Sequence, residues 1–466
     1  MNPPARRFAA ILAVGCCVLA PSCTPPAAKS PNVTLPVSWR NAAGFPTAAP
    51  DRDLSRWWAQ FGDARLTRLI GEALAGNKDL ASAVSRVREA QARRDAQKAS
   101  LFPTLDYSGA RSTTARYEDA TRTGSGTAYS AGLSASWELD FFGRNRQGVL
   151  AASANAEATK EDLHTAQAAL ASEVALAYLD LRAAEGRLEV VKESVKTREE
   201  TTQLASWRNQ AGEIDSLELR QAESSLESAR SQLSSLEQSI GQTRNRLALL
   251  CGRVPGDIST GGGDVPSPGR RLAIGIPADT IRQRPDVRAA GYAWVAAVAN
   301  SHAAELERLP SLRLSGSLGV DTLRSSKLFD PESAASGIIA GVSGPIFDAG
   351  RIRANIVAQG AAEEQALLAY ERTILTALSE VEDALIACRA TEARMATLEK
   401  AAAAGRDASR LATQRYRTGV IDFLTVLDAQ RNNLAQEEGL INVRADRAAA
   451  HVQLYKALGG GWSSGS

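Results

Sequence analysis

Aromatic side chains are scarce in this 466-residue chain, at 5% of positions, and the whole sequence holds two methionines and three histidines. That shortage argues against a compact aromatic core. Ala, Gln, Arg, Glu and Leu dominate long tracts instead, a composition suited to long helices. Met1 and Met395 are too few for a thioether relay that would carry soft metal ions, and His164, His302 and His451 are too scattered to build a metal site. Charge of one sign is missing too: 54 basic side chains against 52 acidic ones leave no surplus for a polyanion, so nucleic acid is not an expected partner. No phosphate loop, HExxH, CxxC or serine elbow occurs in the sequence, so neither an enzyme nor a cofactor is expected.

Long apolar runs are absent as well, apart from Phe8 to Ala20. Arg6 and Arg7 precede that run, which is too short to span a bilayer and has the charge asymmetry of a secretory signal; residues 1–22 are expected to be removed. Leu19 to Cys23, followed by a Pro-rich polar stretch, resembles a bacterial lipoprotein processing site, with Cys23 as the acylated N-terminus. Signal cleavage without a lipid is the alternative. Residues 23–63 read as a lipid-anchored extended arm, with Trp57, Trp58 and Phe61 as the aromatic cluster where it docks. Cys251 and Cys388 read as small buried apolar residues rather than a disulfide framework.

What the sequence does contain is a repeat. RNQAGEID around Gly212 and Asp215 returns as RYRTGVID around Gly419 and Asp422, and 419 minus 212 and 422 minus 215 are both 207. The same offset joins Asp79 to Asp286, Pro103 to Pro310, Gly143 to Gly350, Glu173 to Glu380, and Gly252 to Gly459. So long a period is not that of a solenoid; it indicates a duplicated half-domain. The expected organisation is a first repeat over 64–252, a linker over 253–278, a second repeat over 279–460 and a tail over 461–466.

Within each repeat the hydrophobic period changes twice. A helical pattern ends at Pro103, and strict alternation follows in Tyr129 to Leu139, Leu312 to Val320 and Ile338 to Ile346, with a weaker segment from Leu105. These segments predict hairpins at about 104–139 and 311–346, each strand of roughly the length a tilted transmembrane strand needs. Four strands cannot close a barrel, so a membrane location requires other copies of the chain; three copies would give 12 strands. Heptad seams then predict long coiled-coil helices: Leu367, Ile374, Val381, Cys388 and Met395, matched in the first repeat by Val174, Leu181 and Leu188, with a further seam from Leu219 to Leu247. Its counterpart, Leu427 to Tyr455, is offset by 208, which predicts that the two helical hairpins do unequal jobs.

Leu424, Asp428 and Arg431 fall on one helix face just past the second turn, with Tyr416 just before it. Repeated around a symmetry axis they would form a charged ring able to hold the end shut. An ordinary solvated helix end has the same pattern, and the residues leave both open.

RQRPDVRAA (282–290), WELDFFGR (137–144), PIFDAGR (345–351) and QRYRTGVIDFLTVLDAQR (414–431) together resemble the outer-membrane factor family of tripartite efflux pumps, the TolC-like channels and their NodT-type lipoprotein branch. Gly291 departs from the family pattern, which carries Glu there. The resemblance implies a mainly α fold with a β-hairpin pair: a trimeric 12-stranded outer-membrane β-barrel continuous with a long α-helical periplasmic barrel, built from two structural repeats. It implies a homotrimer that takes small amphipathic compounds from an inner-membrane RND pump through a periplasmic adaptor. Leu424 and Asp428 become the tip constriction and Tyr416 and Arg431 its locking contacts. Gly212, Asp215, Gly419 and Asp422 mark the turns that an adaptor meets. An exit duct for secreted proteins, and from another class a trimeric coiled-coil envelope spacer, are the competing readings.

Overall fold

The computed structural model describes residues 31–42, 54–118, 121–258, 261–267, 277–328 and 330–462; the expected signal segment and Cys23 lie outside them. Helices α1 (Ala64–Gly76) and α2 (Lys78–Ala99) lead into strands β1 (Thr104–Glu118) and β2 (Thr121–Leu139), then into α3 (Arg144–Gln210) and α4 (Ser216–Leu250). After the linker come α5 (Pro277–Gln283) and α6 (Pro285–Leu306), β3 (Ser311–Thr322), β4 (Ala334–Ser343), α7 (Arg351–Arg417) and α8 (Phe423–Ala457). Helices α2, α3 and α4 begin and end 207 residues before α6, α7 and α8, so the repeat is kept at both ends of each of these helices. The rods α3 and α7 each have 67 residues, roughly 100 Å of helix.

The four strands form one antiparallel sheet in the order β1-β2-β3-β4. Its register places Leu105, Ala135, Gly316 and Ile338 in one row and Tyr107, Leu133, Leu318 and Ser336 in the next, on the same face. Asp106, Ser134, Glu138, Arg313, Ser317 and Asp321 take the other face. Alternation therefore yields one greasy and one mainly polar surface. Two expectations need correction. The first hairpin keeps its expected limits of 104 and 139, but its strands, of 15 and 19 residues, are longer than a bilayer requires because its Ser/Thr/Gly-rich outer part stays paired. The second stops at Ser343 rather than 346: Pro345 has no N–H for the ladder, and Ile346 is fully exposed outside the strand.

The helices lie in one layer. Next to the sheet the order is α2, α3, α6, α7; farther away α4 replaces α2 and α8 replaces α6. The heptad positions Val174, Leu181, Leu367, Ile374, Val381 and Cys388 are all buried, as coiled-coil packing requires. The stretch from 64 to 100 is two helices, with a break at Asn77. The turn after α4 comes so close there that a Cβ on Gly252 would lie 2.2 Å from the Gly76 carbonyl oxygen. Asn77 then caps α2 through Leu80 N–H and donates to the Leu250 carbonyl at 3.0 Å. Its counterpart in the second repeat is Arg284, which donates to the Ala457 carbonyl at 2.9 Å, the same bond made by a longer side chain. Arg284 is buried and also pairs with Asp286 and Glu380, which explains the charged core of the RQRPDV segment.

The arm runs along α7. Asn32 N–H donates to Glu371 at 2.7 Å, and Arg40 and Asn41 N–H groups donate to Glu382. Trp39 joins the main core beside Trp57, Trp58 and Phe61, and Trp57 stacks on Tyr455 at 5.3 Å. At Gly291 an added Cβ would meet the Tyr370 ring at 3.5 Å; the missing side chain makes room for the Trp294–Tyr370 stack.

Candidate functional site

The rods end in two turns built alike. Gly212 and Gly419 both have φ of +74°, and the bonds Glu213 N–H to Arg208 carbonyl and Val420 N–H to Arg415 carbonyl close α3 and α7 in the same way. This is the helix-ending motif that needs a left-handed residue, hence glycine at both positions. Asp215 and Asp422 cap the following helices. Asp422 accepts from Thr425 N–H at 2.9 Å, and hydrogen bonds from the Thr425 hydroxyl and N–H hold its carboxyl below the usual range.

Past the second turn, Leu424, Asp428 and Arg431 are all exposed while Val426, Leu427 and Gln430 are buried, so the first three share one outward row. Among the described residues neither Asp428 nor Arg431 has an ion-pair partner. Arg431 instead lies near Arg198, whose guanidinium pKa is pushed down by burial and then by that neighbouring charge. Tyr416 is not in the row. It is 1% exposed, in a core of Ala205, Ala222, Ala412, Phe423, Val426 and Leu427, with its ring edge-on to Phe423 at 5.9 Å. Its hydroxyl is buried without a hydrogen-bond partner among the described residues, and burial pushes its pKa up.

Sequence reasoning passed over Arg208. Its guanidinium lies 5.1 Å from the centre of the Tyr416 ring, donates to the Tyr416 carbonyl at 3.2 Å and pairs with Glu213 at 3.1 Å. With Arg417–Glu200 at 3.1 Å it ties the two rod ends together within one chain. The only hint was its place beside the first turn, since its counterpart Arg415 makes no such clamp among the described residues.

Elsewhere the groups that might have carried chemistry are enclosed. Cys251 and Cys388 are buried free thiols, and burial pushes Cys388 up to about 12. His164 stacks on Trp462 at 4.5 Å, and His451 faces the Arg447 carbonyl. No helix among the described residues is long and apolar enough to cross a membrane.

Comparison with known proteins agrees with this geometry. The family described as outer membrane efflux protein matches residues 69–253 and 276–460, one match on each repeat. The solvent efflux pump outer membrane protein SrpC of Pseudomonas putida is 33% identical over 463 residues, covering 97% of each chain. The cation efflux system protein CusC of Escherichia coli is 30% identical over 458 residues, covering 98% of each. Among solved structures, the outer-membrane channel OprN superposes with a TM-score of 0.87 at 31% identity, covering 94% of this chain and 99% of that one.

Proposed function

The chain belongs to the outer membrane efflux protein family, and from that premise we propose that three copies form the passive exit duct of a tripartite efflux pump. The observation that carries this reading is the sheet. Its greasy face suits lipid, yet β1 and β4 are open edges, and unpaired backbone groups in a bilayer cost several kcal/mol each. Three copies close four strands each into a 12-stranded barrel, with the mainly polar face lining the lumen. The rods, roughly 100 Å long, then carry the duct into the periplasm toward an adaptor and an inner-membrane RND pump.

In this assembly Leu424, Asp428 and Arg431 ring the narrow end, and Tyr416 with Arg208 holds the two rod ends of each chain in register. The turns at Gly212, Asp215, Gly419 and Asp422 are the surfaces an adaptor meets. The cargo is small amphipathic compounds delivered by the pump. SrpC and CusC are named for a solvent and for a cation, which supports a duct that leaves the choice of cargo to its pump.

Cys23 is the lipid anchor. Twenty residues of α7, about 30 Å, separate the sheet end at Arg351 from Glu371, where the arm is pinned. Nine residues from Cys23 to Asn32 reach about 30 Å when extended, enough to return to the bilayer surface.

Purified protein in detergent is expected to have the mass of three chains and to open ion-conducting channels in planar bilayers. A single-chain mass, or bilayers that stay silent, overturns the proposal.

A further inference from the structure

The duplication makes each chain a template for its own neighbour. Leu105 faces Ala135 across β1–β2, and adding 207 to both gives Leu312 facing Val342, a pair observed across β3–β4. The two hairpins are therefore in the same register. One ladder inside the chain, β2–β3, has no counterpart there, because its equivalent would join β4 to a β1 that only another copy can supply. Both of those edges are exposed: every residue of β4, and β1 from Thr104 to Ala115.

From this equivalence we infer the register in which neighbouring copies pair. Ala131 faces Val320; moved by the repeat, Ile338 faces Thr113 of the next copy. Ser134 faces Ser317; moved likewise, Gly341 faces Ala110 of the next copy. Ser336 to Ser343 thus run antiparallel to Ala115 to Ser108 of the neighbour. Parity holds throughout, so the greasy row of β4 continues into that of β1 and the mainly polar row into its partner, as a one-residue slip would not allow.

The helices carry the same inference independently. Leu368, Leu375 and Ile386 form an exposed apolar stripe on α7, with Leu375 at 57% exposure. Their counterparts on α3 are Glu161, Ala168 and Leu179, all buried. Glu161 is covered by Arg288 of α6, at 2.5 Å. Ala168 is covered by the turn after α8, where a Cβ on Gly461 would lie 3.6 Å from the Ala168 Cβ. Moved by the repeat, Ala81 of the next copy covers Leu368, and Val254 of the next copy, itself 70% exposed, covers Leu375. The α7 stripe is thus the seat of a second copy's α2 and of the turn that follows its α4.

The inference rests on the ring of copies proposed above, and the test separates the two. Ala110→Cys with Gly341→Cys, and Thr113→Cys with Ile338→Cys, are introduced into the full chain and oxidised in outer membranes. Covalent dimers and trimers are expected on non-reducing denaturing gels, since the paired residues lie directly opposite. Pairs displaced by two residues, Ala110→Cys with Ile339→Cys and Thr113→Cys with Ala340→Cys, are expected to stay largely monomeric. Val254→Cys with Leu375→Cys tests the helical contact outside the barrel, should strand variants fail to assemble. Linkage through the displaced pairs, or none through any pair in a particle of three-chain mass, overturns the register and leaves the ring standing. A single-chain mass removes the ring and the inference together.

Discussion

Arg431 stands beside Arg198, and Asp428 has no ionic partner among the described residues, so no ion pair described within one copy holds the charged row past the second turn. In the proposed ring its counter-charges would come from neighbours around the axis. Replacing both Asp428 and Arg431 with Ala is expected to raise single-channel conductance in planar bilayers several-fold; an unchanged conductance would show that this ring does not set the constriction. Tyr416 makes a different prediction. Its hydroxyl has no hydrogen-bond partner among the described residues and its ring makes the contacts, so Tyr416→Phe should leave stability within about 1 kcal/mol of the parent, read as the thermal midpoint in detergent. A loss above about 2 kcal/mol would reveal a hydrogen bond to the hydroxyl from within its own chain, where Arg208 lies beside the ring. The outward row was legible from helical spacing alone, because positions four and seven residues after Leu424 share its face. The burial of Tyr416 was not. It comes from a core that joins both turns, Ala205 and Ala222 with Phe423 and Val426, and from Arg208, whose contact spans 208 residues; no local period encodes either.

At the scale of elements, the two repeats keep their helix ends in step while solving the same packing problem with different side chains. Asn77 and Arg284 both donate to the last carbonyls of a helix, but the first half packs more closely. Gly252 has φ of +67° and backbone 2.2 Å from an added Cβ, whereas at Gly459, φ +79°, the nearest atoms lie at 3.3 Å. Gly252→Ala should therefore cost about 3 kcal/mol or more, and Gly459→Ala about 1–2 kcal/mol, compared as thermal midpoints at one scan rate. Equal losses would mean that left-handed strain alone governs both sites. The landmark glycines and aspartates made this duplication readable in the sequence. The break at Asn77 is marked locally only by Gly76 and the capping Asn77, while the pattern of Leu and Val runs on through it and the close approach of a distant turn fixes it. Strand limits were legible where alternation was strict and blurred where Ser, Thr and Gly continue a ladder without an apolar face.

For the whole molecule, the proposed duct has two attachments to the bilayer acting in parallel, a sheet that would span it and a lipidated chain end. Cys23→Ser is expected to abolish palmitate labelling while the protein stays in the outer-membrane fraction after carbonate washing. Release into the soluble fraction would make the lipid, and not the sheet, the principal anchor. The two rods, each of 67 residues, add a further consequence. Removing one helical turn from a single rod would leave its tip about 5 Å short of the other and, in the proposed ring of three copies, give a staggered mouth with three high and three low lips. A docking partner that caps the end evenly could no longer seat, so the depth of the duct can change only when both halves of the gene lose or gain the same length.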